Sequence, residues 1–178
     1  MTKFFSGAGD EGTSTFYGSG ERHPKNNVRF EALGSLDELN SYIGVAKAHS
    51  DIPRISAFLE EIQENLFTIQ AEIGAARAPS VPPITEQKLK DLEAAIANFG
   101  EEVGEIRTFI IPGGTPLAAH LEYARTLARK AERRVTPFKD ELAHATYVYL
   151  NRLSSALFVL ARYANKYARA EEKGPSYQ

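Results

Sequence analysis

From about residue 29 onward the apolar side chains recur every three or four residues, the period of an α-helix that buries one face. Leu36, Leu39, Ile43 and Ala46 mark a first helix ending near Ser50, with Ser35 and Glu38 spaced as a capping box, although a start near Arg29 fits as well. Ile55, Leu59, Ile62, Leu66, Ile69 and Ile73 give the cleanest stripe, while Glu60, Glu61 and Glu64 occupy other faces. Leu89, Leu92, Ile96 and Phe99 define a third helix started by Thr85. The pattern breaks from Gly100 to Thr115, where Phe109, Ile110 and Ile111 are closed by Pro112, Gly113 and Gly114, a turn that carries an aromatic into or beside a pocket. Thr115 and Pro116 are a side-chain cap and a first residue that needs no N–H, so a fourth helix begins there, with Leu117, Leu121, Ala124, Ala128 and Ala131 on its seam. Pro137 predicts a break before a fifth helix from about Lys139 to Arg169. Without a convincing strand or an internal repeat, the expected fold is all-α, an antiparallel five-helix bundle.

Outside this periodicity the chain reads as connections. Five of the thirteen glycines fall in the first twenty residues, and the segment to about Val28 has too few apolar side chains to order itself, so it is expected to become ordered on binding a ligand. The prolines of PSVPP, residues 79–83, predict a stiff linker, and the charged end from Glu171 predicts a frayed tail. The expected organisation is one domain over 1–178, made of an N-terminal loop (1–28), a helical bundle (29–169) and a tail (170–178).

Composition narrows the function classes. A chain of 178 residues buries roughly 70% of its unfolded surface in one core. Its 21 basic and 23 acidic side chains leave a formal charge of −2, so no global field favours nucleic acid or an anionic membrane, and any anion site must be local. The absence of cysteine removes disulfides, thiolate nucleophiles and cysteine metal sites, and fits a reducing compartment. No signal-peptide core precedes residue 20, and the apolar run from Ala156 to Ala161 is too short to span a bilayer, so the expected location is the cytoplasm.

The candidate chemistry is an anion site in two parts. GAGDEGTST, from Gly7 to Thr15, offers backbone N–H groups in a loop suited to phosphate oxygens, and Arg125 and Arg129 stand four apart on one helical face with Glu132 beyond them. Taken alone, the arginines also suit a solvated face and the glycines a plain tail. Gly7, Gly12 and Thr13 have Walker-like spacing, but the lysine is missing and no helix follows. Glu141 and His144 make a single Glu-x-x-His, so a paired di-iron site cannot be assembled, and no metal ligand set is assigned. Polar groups beside the apolar stripes, Asp37, Asn40 and Ser41 on the first helix and Asn151, Arg152, Ser154 and Ser155 on the fifth, exceed what a purely structural bundle needs.

The blocks GDEGTST, GERHPK, RFEALGSLDELNSYIG, FIIPGG, ARTLARKAER and YLNRLSSALFVLAR, in this order between Phe5 and about Asn165, resemble the PduO-type ATP:cob(I)alamin adenosyltransferases. The resemblance implies transfer of the 5′-deoxyadenosyl group of ATP to the cobalt of a corrinoid with release of triphosphate, Mg²⁺ riding on the phosphates, and a homotrimer with active sites between subunits. It places Gly9, Asp10, Gly12, Thr13, Lys25, Arg29, Arg129, Glu132 and Asn151 at the nucleotide, Asp37 and Arg125 in an intersubunit salt bridge, and Phe109 beneath the corrin. It also implies a corrinoid reductase and an adenosylcobalamin-dependent enzyme as partners. Gly7, Ala8, Glu122, Lys130 and Ser155 depart from the family's pattern, which bears on ATP affinity rather than on reaction type. The alternative is a non-catalytic bundle that binds ATP or a corrinoid and regulates or delivers the cofactor.

Overall fold

The computed structural model describes residues 4–75, 82–105 and 108–177. Five α-helices are present among them: α1 (Val28–Ala48), α2 (Pro53–Gly74), α3 (Glu86–Val103), α4 (Pro116–Val135) and α5 (His144–Tyr167). Their starts follow local chemistry. Asn27 caps α1 by accepting from the N–H of Arg29, Thr85 caps α3 through the N–H of Lys88, and Thr115 caps α4 through the N–H of Ala118. Ser35 lies inside α1 and bonds back to the carbonyl of Glu31, so the earlier start is the observed one and the capping box does not form. Helix α3 continues three residues past Gly100 and stops at Gly104, whose φ of 84° favours glycine.

Two connections differ from the sequence expectation. Pro137 ends α4 without a clean break: Thr136–Glu141 forms a 3₁₀ helix, Leu142 is extended, and α5 starts only at His144, five residues after Lys139. The glycine-rich N-terminus contains two short strands, β1 (Thr13–Thr15) and β2 (Arg22–Pro24), paired antiparallel with Ser14 opposite His23. Their three-residue length leaves no alternation for a sequence pattern to register. The linker residues 79–81 lie outside the described residues.

Cross-helix contacts give the directions. Gln63 bonds the carbonyl of Asn40 and Lys47 faces Glu60, so α1 and α2 are antiparallel; Arg54 reaches Glu102 while Lys88 reaches Asn65, so α2 and α3 are too. Arg134 faces Glu31 and Lys130 faces Glu38, Thr115 meets Asn165 and Glu132 meets Asn151, so α4 runs opposite to both α1 and α5. The core is the one the periodicity marks, including Leu36, Leu39, Ile62, Leu66, Leu153 and Leu157, all fully buried. Buried Tyr149 receives a 3.0 Å hydrogen bond from Asn65, and burial raises its pKa. No described helix is long and apolar enough to cross a membrane.

The tail is tied down rather than frayed. Arg162 pairs with Glu172 at 3.1 Å, and the N–H of Ile111 donates to the carbonyl of Lys173 at 2.8 Å. Charge at this end makes specific bonds, which composition alone cannot distinguish from solvation.

Candidate active site

The N-terminal hairpin is shaped by glycine and two basic side chains. Gly7 and Gly12 adopt φ of 70° and 72°, in the left-handed region, and turn the backbone back on itself. Lys25 donates through Nζ to the carbonyl of Gly9 at 2.9 Å, and its N–H donates to the carbonyl of Gly12 at 2.8 Å. A Cβ at Gly9 would lie 2.9 Å from Nζ of Lys25, so a larger residue there would push the ammonium aside. Arg22 bonds both the hydroxyl and the carbonyl of Thr13 at 2.8 Å and also reaches the carbonyl of Ala8. Sequence reasoning missed Arg22, because its reach to Thr13 follows from β1–β2 pairing; its position in the basic GERHPK block was the available signal. Asp10, exposed, donates its N–H to the carbonyl of Gly7.

The hairpin rests on the start of α1 and the end of α2. The N–H of Tyr17 donates to Gly74, and Phe16 stacks on Phe30 with centroids 4.3 Å apart. Arg29 holds this end together: it bonds the carbonyl of Ile73 at 3.0 Å, pairs with Glu141 at 2.5 Å and lies 4.5 Å over the Phe138 ring. It lines a cavity of about 570 Å³ with Ser19, His23 and Glu141. Asp37 lies two turns further along α1, in an apolar groove with Phe30, Phe67 and Tyr17, and has no ion-pair or hydrogen-bond partner among the described residues.

A second site of about 580 Å³ lies where α3, α4, α5 and the turn after α3 meet. Phe109 lines it and is 79% exposed, so it is a surface aromatic over a cavity and not a core residue. Arg125, Arg129, Ser154 and Ser155 face the same space. Arg125 bonds buried Glu122 at 2.6 Å, whereas Arg129 has no ion-pair or hydrogen-bond partner among the described residues. One turn further on, Asn151 donates to Glu132 at 2.7 Å and accepts from Arg152 at 2.8 Å. Lys130 points the other way, pairing with Glu38 on α1 at 2.5 Å.

The single chain thus assembles the predicted residues in two groups. Gly9, Asp10, Gly12, Thr13, Lys25 and Arg29 gather at the hairpin; Phe109, Arg125, Arg129, Glu132 and Asn151 gather along α4 and α5. Among the described residues no hydrogen bond or ion pair links the groups, and Asp37 and Arg125 do not pair within one chain. No group of three or more histidine, aspartate or glutamate side chains able to hold a metal ion occurs among the described residues. Chemically, one half offers backbone and cationic groups around a turn, and the other an unpaired guanidinium beside an exposed aromatic.

A sequence model described as Cobalamin adenosyltransferase matches residues 4–164. The corrinoid adenosyltransferase PduO of Citrobacter freundii is 38% identical over 163 residues, covering 89% of this chain and 48% of that protein, so the chain spans about half the length of this relative. The corrinoid adenosyltransferase of Bacillus subtilis (strain 168) is 37% identical over 92% of this chain and 86% of its own. Among solved structures, a phenylalanine-to-histidine variant of the PduO-type ATP:corrinoid adenosyltransferase from Lactobacillus reuteri, complexed with cobalamin and ATP, superposes with a TM-score of 0.90 at 32% identity, covering 98% of this chain and 97% of that one. An arginine-to-lysine variant of the same enzyme, complexed with ATP, gives 0.88 at 33% identity over 97% and 99% of the two chains. With the family model matching residues 4–164 and the overall fold shared at this level, the chain belongs to the cobalamin adenosyltransferase family.

Proposed function

We infer that this protein transfers the 5′-deoxyadenosyl group of ATP to the cobalt of a reduced corrinoid and releases triphosphate. The observation that carries this reading is the pairing, in one groove, of a partner-free Arg129 with an exposed Phe109. Reduced cobalt is itself a strong nucleophile, so no general base is required. Its electron pair forms the bond to C5′ of the ribose, and the bond from C5′ to the triphosphate oxygen breaks with both electrons leaving on oxygen. The protein's task is to align these centres and to stabilise charge gathering on the phosphates.

In this reading Arg129 meets the phosphate oxygens, and Glu132 and Asn151 fix the nucleotide's position from α4 and α5. The hairpin supplies Gly9, Asp10, Gly12 and Thr13 as a cradle, ordered further when nucleotide binds, with Lys25 and Arg29 as its cations. Mg²⁺ belongs to the reading as the ion that accompanies the triphosphate, carried on the phosphate oxygens. Phe109 covers one face of the corrin and excludes water and a lower axial ligand.

The two halves of the nucleotide site lie on different faces of the chain, and Asp37 lies unpaired in an apolar groove beside the hairpin. Both features support a homotrimer in which the hairpin and α1 of one subunit meet α4 and α5 of the next, with Asp37 against Arg125. Anaerobic mixing of the protein with MgATP and cob(I)alamin tests the activity: the light-sensitive spectrum of the alkylated product should grow in. Nucleotide binding without that spectrum would make the protein a carrier or regulator instead.

A further inference from the structure

Asn165 is the side chain at which three separate pieces of the chain meet. It sits near the end of α5, is 4% exposed, and uses its whole carboxamide. Oδ1 accepts from the N–H of Thr115 at 2.9 Å, and Nδ2 donates to the carbonyl of Gly113 at 3.0 Å and to Glu172 at 3.4 Å. Between those two loop contacts Gly114 has φ of 98°, and a Cβ there would overlap the Asn165 carboxamide. The turn that carries Phe109 is therefore docked on Asn165 at its C-terminal end by geometry that admits only glycine.

The tail holds the other side of the same turn. Glu172, bound to Asn165, also pairs with Arg162, and both side chains of that pair are largely buried at 20% and 12% exposure. One residue on, the carbonyl of Lys173 accepts from Ile111, and a Cβ at Gly174 would lie 3.4 Å from the carbonyl oxygen of Phe109. Arg162 lines the same groove as Phe109. A ring that is 79% exposed has little packing of its own to fix it, so its place over the groove is set by where its backbone is anchored.

We propose that Asn165 and Glu172 are positioning residues that clamp the Phe109 turn between α5 and the C-terminal segment, and so set where Phe109 stands over the groove. The functional part of this proposal rests on the reading of that groove as the corrinoid site. Neither residue touches substrate; each acts through the turn.

The chain has no tryptophan, so Phe109→Trp installs a single fluorescent reporter at the position in question. Introducing Glu172→Ala or Asn165→Ser into that background should lower the tryptophan's anisotropy and increase its quenching by acrylamide while the helical circular dichroism stays unchanged. With Phe109 intact and a chemical reductant supplied to bring cob(II)alamin to cob(I)alamin, either variant should lower turnover from cob(II)alamin about tenfold at unaltered KM for ATP, as misplacement of a positioning group does. In a Phe109→Ala background the same changes should remove nothing further, because the clamp would have nothing left to place. A folded Glu172→Ala protein with unchanged anisotropy and quenching overturns the clamp, and it decides alone if Asn165→Ser does not fold. If the reporter loosens but Phe109→Ala turns over normally, the clamp stands and the assignment of the groove to the corrinoid falls.

Discussion

Arg125 donates through Nε to Oε2 of Glu122 at 2.6 Å, so one edge of its guanidinium is held by a carboxylate within its own chain. Glu122 is 8% exposed, and removing Arg125 would strand it. Arg125→Ala should therefore lower the unfolding free energy by about 1–3 kcal/mol, the cost of a buried acceptor losing its partner. Urea denaturation measures this, and a Glu122→Gln, Arg125→Ala double variant should recover part of the loss.

Asp37 behaves differently because it has no partner to strand among the described residues. Asp37→Ala should change the stability of the isolated fold by no more than about 0.5 kcal/mol, as exposed substitutions do. If Asp37 meets Arg125 of another subunit, the same variant should shift sedimentation toward smaller species. Unaltered assembly and activity in Asp37→Ala would remove the intersubunit pair.

Arg129 makes no ion pair or hydrogen bond among the described residues, so Arg129→Ala should leave the melting temperature unchanged. Its turnover should fall by about 10² or more, the range for deleting one group aimed at developing charge. Arg129→Lys should recover little, since a point charge does not replace a two-pronged donor. Steady-state rates with MgATP and pre-reduced cob(I)alamin check both, and a near-normal rate in Arg129→Ala would take the residue out of the mechanism.

Phe109→Ala should not destabilise the fold, because a ring that is 79% exposed buries little surface and leaves no cavity when truncated. Nucleotide affinity should hold, and adenosylation should suffer more when the assay starts from cob(II)alamin than from cob(I)alamin. Equal losses from the two oxidation states would sink the specific role.

Gly9→Ala tests the hairpin. The added Cβ would come within 2.9 Å of the Lys25 ammonium and displace it from the Gly9 carbonyl, without touching the bundle. ATP should bind more weakly while the melting temperature stays constant. Deleting residues 1–15 removes β1 and should leave a folded bundle that no longer binds ATP, and saturating MgATP should increase amide protection from Gly9 to Thr15 in the intact protein.

The helices were legible in the sequence because each carries its own record: an apolar stripe at the helical period, and a cap such as Thr115 before Pro116 that terminates the pattern locally. The basic and glycine-rich segments were legible too, as types of residue suited to phosphate. What the sequence by itself could not decide is everything that depends on residues far apart meeting. Strands of three residues have no period to read, so β1 and β2, and with them the reach of Arg22 to Thr13, appear only when the hairpin closes. The charged tail looked like a solvated end until Glu172 met Arg162 and Asn165. Phe109 could equally have filled the core; its exposure over the groove, on a turn that meets Asn165 on one side and the tail on the other, belongs to the folded chain. Periodicity and capping are properties of neighbours along the chain, whereas exposure and pairing are properties of neighbours in space; the first fixes the elements, and tertiary structure alone decides which side chains they leave free to act.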